Sequence, residues 1–190
     1  MNLPTKLTFL RIILVPVFVM FFLTDSIPQN RTICLTVFIL AAVTDWLDGM
    51  IARKYSLVTD LGKFLDPIAD KILVNSAAIL FVYDVYHHSQ QFVQLSMLLI
   101  AIIFVSREMV IGGFRLIAVS KSVVLAADFY GKLKTIVQMM GIVIVLIARL
   151  VKDESSKYIL FTGLALLFLA ALLSIMSCAN YIIKNREVLN

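Results

Sequence analysis

Six apolar runs, at about 7–24, 31–52, 61–84, 92–118, 131–151 and 157–183, leave this 190-residue chain few folds to choose from. Each is about as long as the roughly 17–25 residues that cross a bilayer as a helix. Hydrophobic residues make up 61% of the chain, against roughly 45–50% in a soluble domain, and mean hydropathy is +0.98. The expected fold is an all-α integral membrane protein of six transmembrane helices, forming one membrane-embedded domain over 1–190. Residues 1–23 begin like a signal peptide, but Thr24-Asp25-Ser26 is not a small-x-small cleavage site, so the first helix is expected to be retained. Cys34 and Cys178 fall inside apolar runs, where a thiol behaves as a small hydrophobe, and suggest neither a disulfide nor a metal site.

The net charge of +5 is unevenly spread. Lys6, Arg53, Lys54, Lys63, Lys121, Lys132, Lys134, Lys184 and Arg186 lie at the termini and near 53–63 and 119–134, whereas the other three connections offer Arg31, Arg149, Lys152 and Lys157. The positive-inside rule puts both termini and the stretch from Asp45 to Asp70, with any active site there, at the cytoplasmic side. In so apolar a chain, this basicity reads as topology and contact with anionic lipid of the bilayer, not as nucleic-acid binding.

Against that background, five carboxylates crowd between Asp45 and Asp70. At 100° per residue, Asp45, Asp48, Gly49 and Ala52 fall within about 100° of one another on the second helix. Gly62, Asp66, Ala69 and Asp70 do the same on the third. Asp60 is explained as an N-cap. Gly49, which costs a helix about 1 kcal/mol relative to alanine, allows either close helix packing or close approach of a ligand. A short loop at 54–60 makes the two helices antiparallel neighbours. Asp48 and Asp66 then lie ~9 Å in, and Asp45 and Asp70 ~13–15 Å in, from that end. At ~6 Å and an effective dielectric of ~20, each ionised pair would repel by about 3 kcal/mol, so the four need protons or cations. An all-oxygen ligand set points to hard divalent ions, Mg²⁺ or Mn²⁺, which are commonly shared with substrate phosphates. Two such ions could clamp an in-line displacement.

Elsewhere the polar residues admit two readings each. Arg11 either snorkels to the interface or faces an anionic ligand. Arg107 and Arg115 on helix four, about 80° apart, either pair with Glu108 or an aspartate or form a fork for a phosphate-bearing substrate. Lys132, Thr135 and Gln138 recur every third residue on helix five, where lysines contact lipid or substrate, and Asp128 could cap that helix. Tyr83 to Gln91 reads as an external loop, and the adjacent His87-His88 cannot share a helical face as a metal pair would. A cation transporter would also place acids within the membrane, lining its pathway, but leaves the two glycines and the tight spacing unexplained. A prenyltransferase would need a longer chain.

The spacing Asp-x2-Asp-Gly-x2-Ala-Arg-x8-Gly-x3-Asp-x3-Asp, met by Asp45, Asp48, Gly49, Ala52, Arg53, Gly62, Asp66 and Asp70, resembles the signature of the CDP-alcohol phosphotransferase family. The resemblance implies an enzyme that transfers a phosphatidyl group from a CDP-linked lipid to an alcohol and releases CMP. It implies Asp45, Asp48, Asp66 and Asp70 as the ligands of a two-metal site, and Asp70 as the base. Gly49, Ala52 and Gly62, with Thr8, would receive the CDP-lipid, Arg53 would help hold it or brace the acids, and a homodimer is implied as well. Asn2-Leu3-Pro4-Thr5, Leu7-Thr8, Arg11, Arg107-Glu108, Arg115 and Gly131-Lys132-x-Lys134-Thr135 resemble the pattern of the branch that makes phosphatidylglycerophosphate in bacteria. This implies CDP-diacylglycerol as donor and glycerol 3-phosphate as acceptor, with Arg107, Arg115, Lys132 and Lys134 as candidates for the acceptor phosphate. Serine, inositol phosphate or phosphatidylglycerol are the alternative acceptors within the family.

Overall fold

The computed structural model describes residues 2–24, 26–27, 29–55, 60–88, 91–121, 123 and 129–186; side chains at 3, 4, 46, 52–55, 60–64, 66, 67, 70, 85–88 and 92 fall outside that description. The described backbone forms six helices: α1 (Leu3–Leu23), α2 (Asn30–Tyr55), α3 (Asp60–His88), α4 (Gln91–Ser120), α5 (Phe129–Ala148) and α6 (Ser155–Lys184). Pro4 lies in the first turn of α1, where its missing N–H costs no helical bond. The ends fall within about four residues of the apolar runs that predict them, because long apolar segments define helices well even where their termini are polar.

One connection differs from its expectation. Tyr83 to Gln91, read as an external loop, is helical as far as His88, and α4 begins at Gln91. A tertiary contact holds Asp84, one of the polar residues that suggested a loop. Arg149, just after α5, pairs its Nη2 with Asp84 Oδ1 at 3.2 Å, stacks 3.7 Å from the Phe22 ring centre and accepts a bond on its carbonyl from Arg31 at 2.8 Å. The His87 and His88 side chains and the proposed Asp60 and Asp128 caps lie outside the described residues.

Five helices are long and apolar enough among the described residues to cross a membrane: Thr5–Leu23, Asn30–Ile51, Val93–Ser120, Phe129–Ala148 and Ser155–Lys184. The 29-residue α3, expected as a sixth span, carries Asp60, Lys63, Asp66, Asp70 and Lys71 in its first half. The chain is a multi-pass membrane protein. Large apolar side chains cover its outside as well as its core: Met109 and Leu116 are more than 70% exposed, while a few polar residues, among them Arg11, Gln138, Ser174 and Ser177, are buried. Lipid is as apolar as leucine, so close packing and polar contacts between helices take over from the hydrophobic effect in holding such a bundle together.

That packing has two centres. Phe18 of α1 meets Phe38 of α2 with ring centres 5.5 Å apart, and Phe22 meets Phe81 of α3 at 5.9 Å. The rings of α1 thus fill the space between α2 and α3. Direct contact between those two helices is slight among the described residues, while α1 packs extensively on both; the expected antiparallel pair is a three-helix arrangement. On the other side, α5 and α6 approach at backbone distance. A Cβ at Gly163 would stand 2.7 Å from Val145 Cγ2 and 3.0 Å from its nitrogen, and one at Gly141 would stand 3.0 Å from Leu167 Cγ. This close approach fixes the polar ends of α5 and α6 against α4, which packs on α6.

Candidate active site

Asp45 and Asp48 stand one turn apart on α2, and both converge on a single residue of α1. Arg11, with 0% of its surface exposed, pairs its Nη1 with Asp45 Oδ1 at 2.7 Å and its Nη2 with Asp48 Oδ2 at 2.5 Å. Thr8, one turn earlier on α1 and also buried, donates its hydroxyl to Asp48 Oδ2 at 3.4 Å. Arg11 is therefore neither at the interface nor turned to an outside ligand: it braces two acids. Thr8, expected at the CDP-lipid, touches the same carboxylate. A guanidinium that bridges two aspartates fixes both rotamers and offsets their mutual repulsion.

Gly49 follows Asp48 and is half-buried. The backbones of Ala52, Arg53, Gly62, Asp66 and Asp70 continue α2 and α3; their side chains, and hence half of the proposed ligand set, lie outside the described residues. The described acids suit a hard divalent cation in their chemistry. Both are carboxylates, they sit on one face, and they converge within reach of one guanidinium, an all-oxygen donor pair of the kind Mg²⁺ and Mn²⁺ prefer.

The four cations proposed for an acceptor phosphate also come together. Arg107 and Arg115 of α4 and Lys132 and Lys134 of α5 line one cavity of about 390 Å³, together with Lys71 and Asn75 of α3, Gln138 of α5 and Tyr181 of α6. Glu108 is the hub of its wall. Its Oε1 accepts from Arg107 Nη1 at 2.8 Å and from Lys134 Nζ at 2.9 Å, and its Oε2 lies 3.5 Å from Lys71 Nζ. Both readings of Arg107 thus hold in geometry, since it pairs with Glu108 and also faces the cavity. Its Nη2 donates to Ser177 Oγ at 3.1 Å, while its buried Nε has no hydrogen-bond partner among the described residues. Arg115 is more exposed, reaches the Tyr181 hydroxyl at 3.4 Å and lies 5.9 Å from that ring's centre.

On α5 the inward face differs by a fraction of a turn from the expected one. Lys132 and Thr135 are exposed at the cavity rim, whereas Gly131, Lys134 and Gln138 run down its wall at i, i+3 and i+7. Lys134 is buried, with its ammonium 5.2 Å from the centre of the Phe104 ring. Gly131 is required by proximity: a Cβ there would stand 3.0 Å from Arg107 Nη2 and 3.3 Å from Ser177 Oγ. Sequence reasoning missed Lys71, Asn75 and Tyr181, whose positions follow from helix packing. Lys71 is adjacent to Asp70 in the chain, so the cavity adjoins the acidic segment of α3.

An acidic face suited to a metal and a cationic cavity suited to an anion together fit a metal-assisted transfer between phosphate compounds. Comparison with known proteins agrees. The family model for CDP-alcohol phosphatidyltransferases matches residues 1–177. The chain belongs to that family. Members of the CDP-alcohol phosphatidyltransferase family are transferases and are generally metal-dependent. Among curated relatives, a CDP-diacylglycerol–glycerol-3-phosphate 3-phosphatidyltransferase of Bacillus subtilis is 37% identical, with 99% of this chain and 97% of the relative covered. Proteins of the same name from Pectobacterium atrosepticum and Escherichia coli K12 are 36% and 34% identical, each covering 95% of this chain and 93% of the relative. The similarity therefore extends across both charge sites, and this family member can be read site by site.

Proposed function

We propose that the protein transfers the phosphatidyl group of CDP-diacylglycerol to glycerol 3-phosphate, giving phosphatidylglycerophosphate and CMP. The observation that carries this reading is the cavity itself: five cations and one carboxylate line a space of about 390 Å³ next to the acidic segment, which suits an acceptor that already bears a phosphate. Serine, by contrast, would bring no phosphate to four net positive charges. The names of the curated relatives support the same choice.

In this reading Asp45, Asp48, Asp66 and Asp70 hold the metal, as two Mg²⁺ or Mn²⁺ ions. When bound, these ions supply charge stabilisation for the departing CMP phosphate. Arg11 keeps Asp45 and Asp48 in their ligating rotamers. Gly49, Ala52, Arg53 and Gly62 receive the cytidine nucleotide. Arg107, Arg115, Lys132 and Lys134 hold the acceptor phosphate, with Lys71 completing the wall nearest Asp70. Asp70 takes the proton of the acceptor's primary hydroxyl; that oxygen then bonds to the lipid-side phosphorus, and the phosphorus–oxygen bond to CMP breaks, with the electron pair leaving on CMP. The whole chain, 1–190, acts as one domain, works as a homodimer in the cytoplasmic membrane, and has both termini on the cytoplasmic side, where its basic segments lie.

The test is direct. Purified protein receives CDP-diacylglycerol and Mg²⁺ or Mn²⁺, with one acceptor at a time, and CMP release and lipid product are measured. Glycerol 3-phosphate should be used and chelation should abolish turnover. Release with serine or inositol phosphate but not with glycerol 3-phosphate would overturn the assignment.

A further inference from the structure

Among the described residues, Gln138 is a buried cavity residue whose chemistry a phosphate does not explain. Its side chain lines the cavity and is 1% exposed, yet neither Oε1 nor Nε2 has a hydrogen-bond partner among the described residues. Burying an amide with both ends unsatisfied is unfavourable, and α5 could carry leucine or methionine there at no such penalty. Several other polar groups of the wall, unlike Gln138, already have partners. Glu108 binds Lys71, Arg107 and Lys134, and Thr135 donates to the Gly131 carbonyl at 3.0 Å.

A phosphate also uses only half of an amide, whose N–H can donate to it but whose carbonyl oxygen cannot accept from it. A dianion wants donors alone, which the arginines and lysines supply, and the carbonyl oxygen of Gln138 would repel it. A hydroxyl both donates and accepts, and an amide offers one partner for each role. Position agrees with chemistry. Gln138 stands one turn, ~6 Å, further along α5 than Lys134, which suits a group attached a few bonds away from a phosphate held at the lysine.

We propose that Gln138 recognises the secondary hydroxyl of the acceptor, so that the cavity selects a phosphorylated vicinal diol over the same chain without that hydroxyl. The proposal rests on the reading of glycerol 3-phosphate as acceptor. It adds a residue that tells this substrate from its deoxy analogue, where the cations alone would bind both.

The experiment compares kcat/KM for sn-glycerol 3-phosphate and 3-hydroxypropyl phosphate, which differ by that hydroxyl alone, using the full-length protein with saturating CDP-diacylglycerol. Wild type should prefer glycerol 3-phosphate by about 10- to 100-fold, the range for leaving a buried polar group unpaired. Gln138→Met keeps the length and removes both hydrogen-bonding atoms; its preference should fall to about twofold or less, with an unchanged KM for CDP-diacylglycerol. A wild-type ratio near one overturns the proposal and needs no variant to fold. So does a preference that survives in Gln138→Met, or one that collapses instead in Asn75→Ala, the other amide of the wall. Failure of wild type to use glycerol 3-phosphate, with turnover of another alcohol, overturns the acceptor assignment and this proposal together.

Discussion

The two charge sites are built as opposites. At the acidic face one cation, Arg11, is shared by two carboxylates, Asp45 and Asp48; at the cavity one carboxylate, Glu108, is shared by three cations, Lys71, Arg107 and Lys134. Each site carries a minority charge that holds the majority in position, and each keeps a surplus. The described acids retain one negative charge beyond Arg11, and the cavity retains four positive charges beyond Glu108. Like charges could not be gathered inside a bundle without such a counter-charge, and the sign of what is left over selects the ligand. The acidic face is suited to cations and the cavity to an anion.

The comparison can be broken at several points. The largest effect is expected from Asp70→Asn, which should lower kcat by about 10²- to 10⁴-fold, the usual contribution of a general base, while CDP-diacylglycerol binding persists; retained turnover would remove the base assignment. Arg11→Met comes next. Asp45 and Asp48 lose their shared partner, and breaking a buried ion pair typically costs about 3–5 kcal/mol. A clear fall in thermal unfolding temperature in detergent should accompany lost activity, and added Mg²⁺ should recover part of both, since the metal would offset the same repulsion. Arg11→Lys, with one ammonium in place of a fork, should fall between.

The corresponding change in the cavity is Glu108→Gln. With Lys71, Arg107 and Lys134 untethered, the acceptor KM should rise by about tenfold or more and the KM for the CDP-lipid should stay level, as measured by varying each substrate in turn. The smallest effect is expected from Gly131→Ala. A Cβ 3.0 Å from Arg107 Nη2 must push the fork by a few tenths of an ångström, so acceptor KM should rise by a few-fold, about 1 kcal/mol or less.

Much of this was legible in the residues. Six long apolar runs specify six helices, and 100° arithmetic puts Asp45 beside Asp48 on one face. The depth of Arg11 was also within reach: eight residues past Leu3 is ~12 Å, level with acids ~10–15 Å from the end of α2. What the sequence does not contain is that α1 packs between α2 and α3, because that depends on how Phe18 and Phe22 meet Phe38 and Phe81. The same limit applies to the cavity. Arg107, Arg115, Lys132 and Lys134 stand out as charges in apolar runs. Their convergence on one cavity, and the turn of α5 that brings Lys134 and Gln138 inward, depend on the close approach of α5 and α6 at Gly141 and Gly163. Those glycines are visible in the sequence, but no spacing pattern announces their partners. The loop expected at Tyr83 to Gln91 failed for a related reason: Asp84 is held in the helix by Arg149, a residue 65 positions away.

The central claim is that the acidic face handles the CDP-lipid while the cavity handles the acceptor. Arg115→Ala tests it most directly. Arg115 is exposed, and its long hydrogen bond and its ring contact are both to Tyr181, so its removal should disturb the fold least. Measured on the same preparation, the KM for glycerol 3-phosphate should rise about tenfold or more while the Kd for CDP-diacylglycerol stays within about twofold of wild type. A weakened CDP-diacylglycerol Kd with an unchanged acceptor KM would contradict the division of labour.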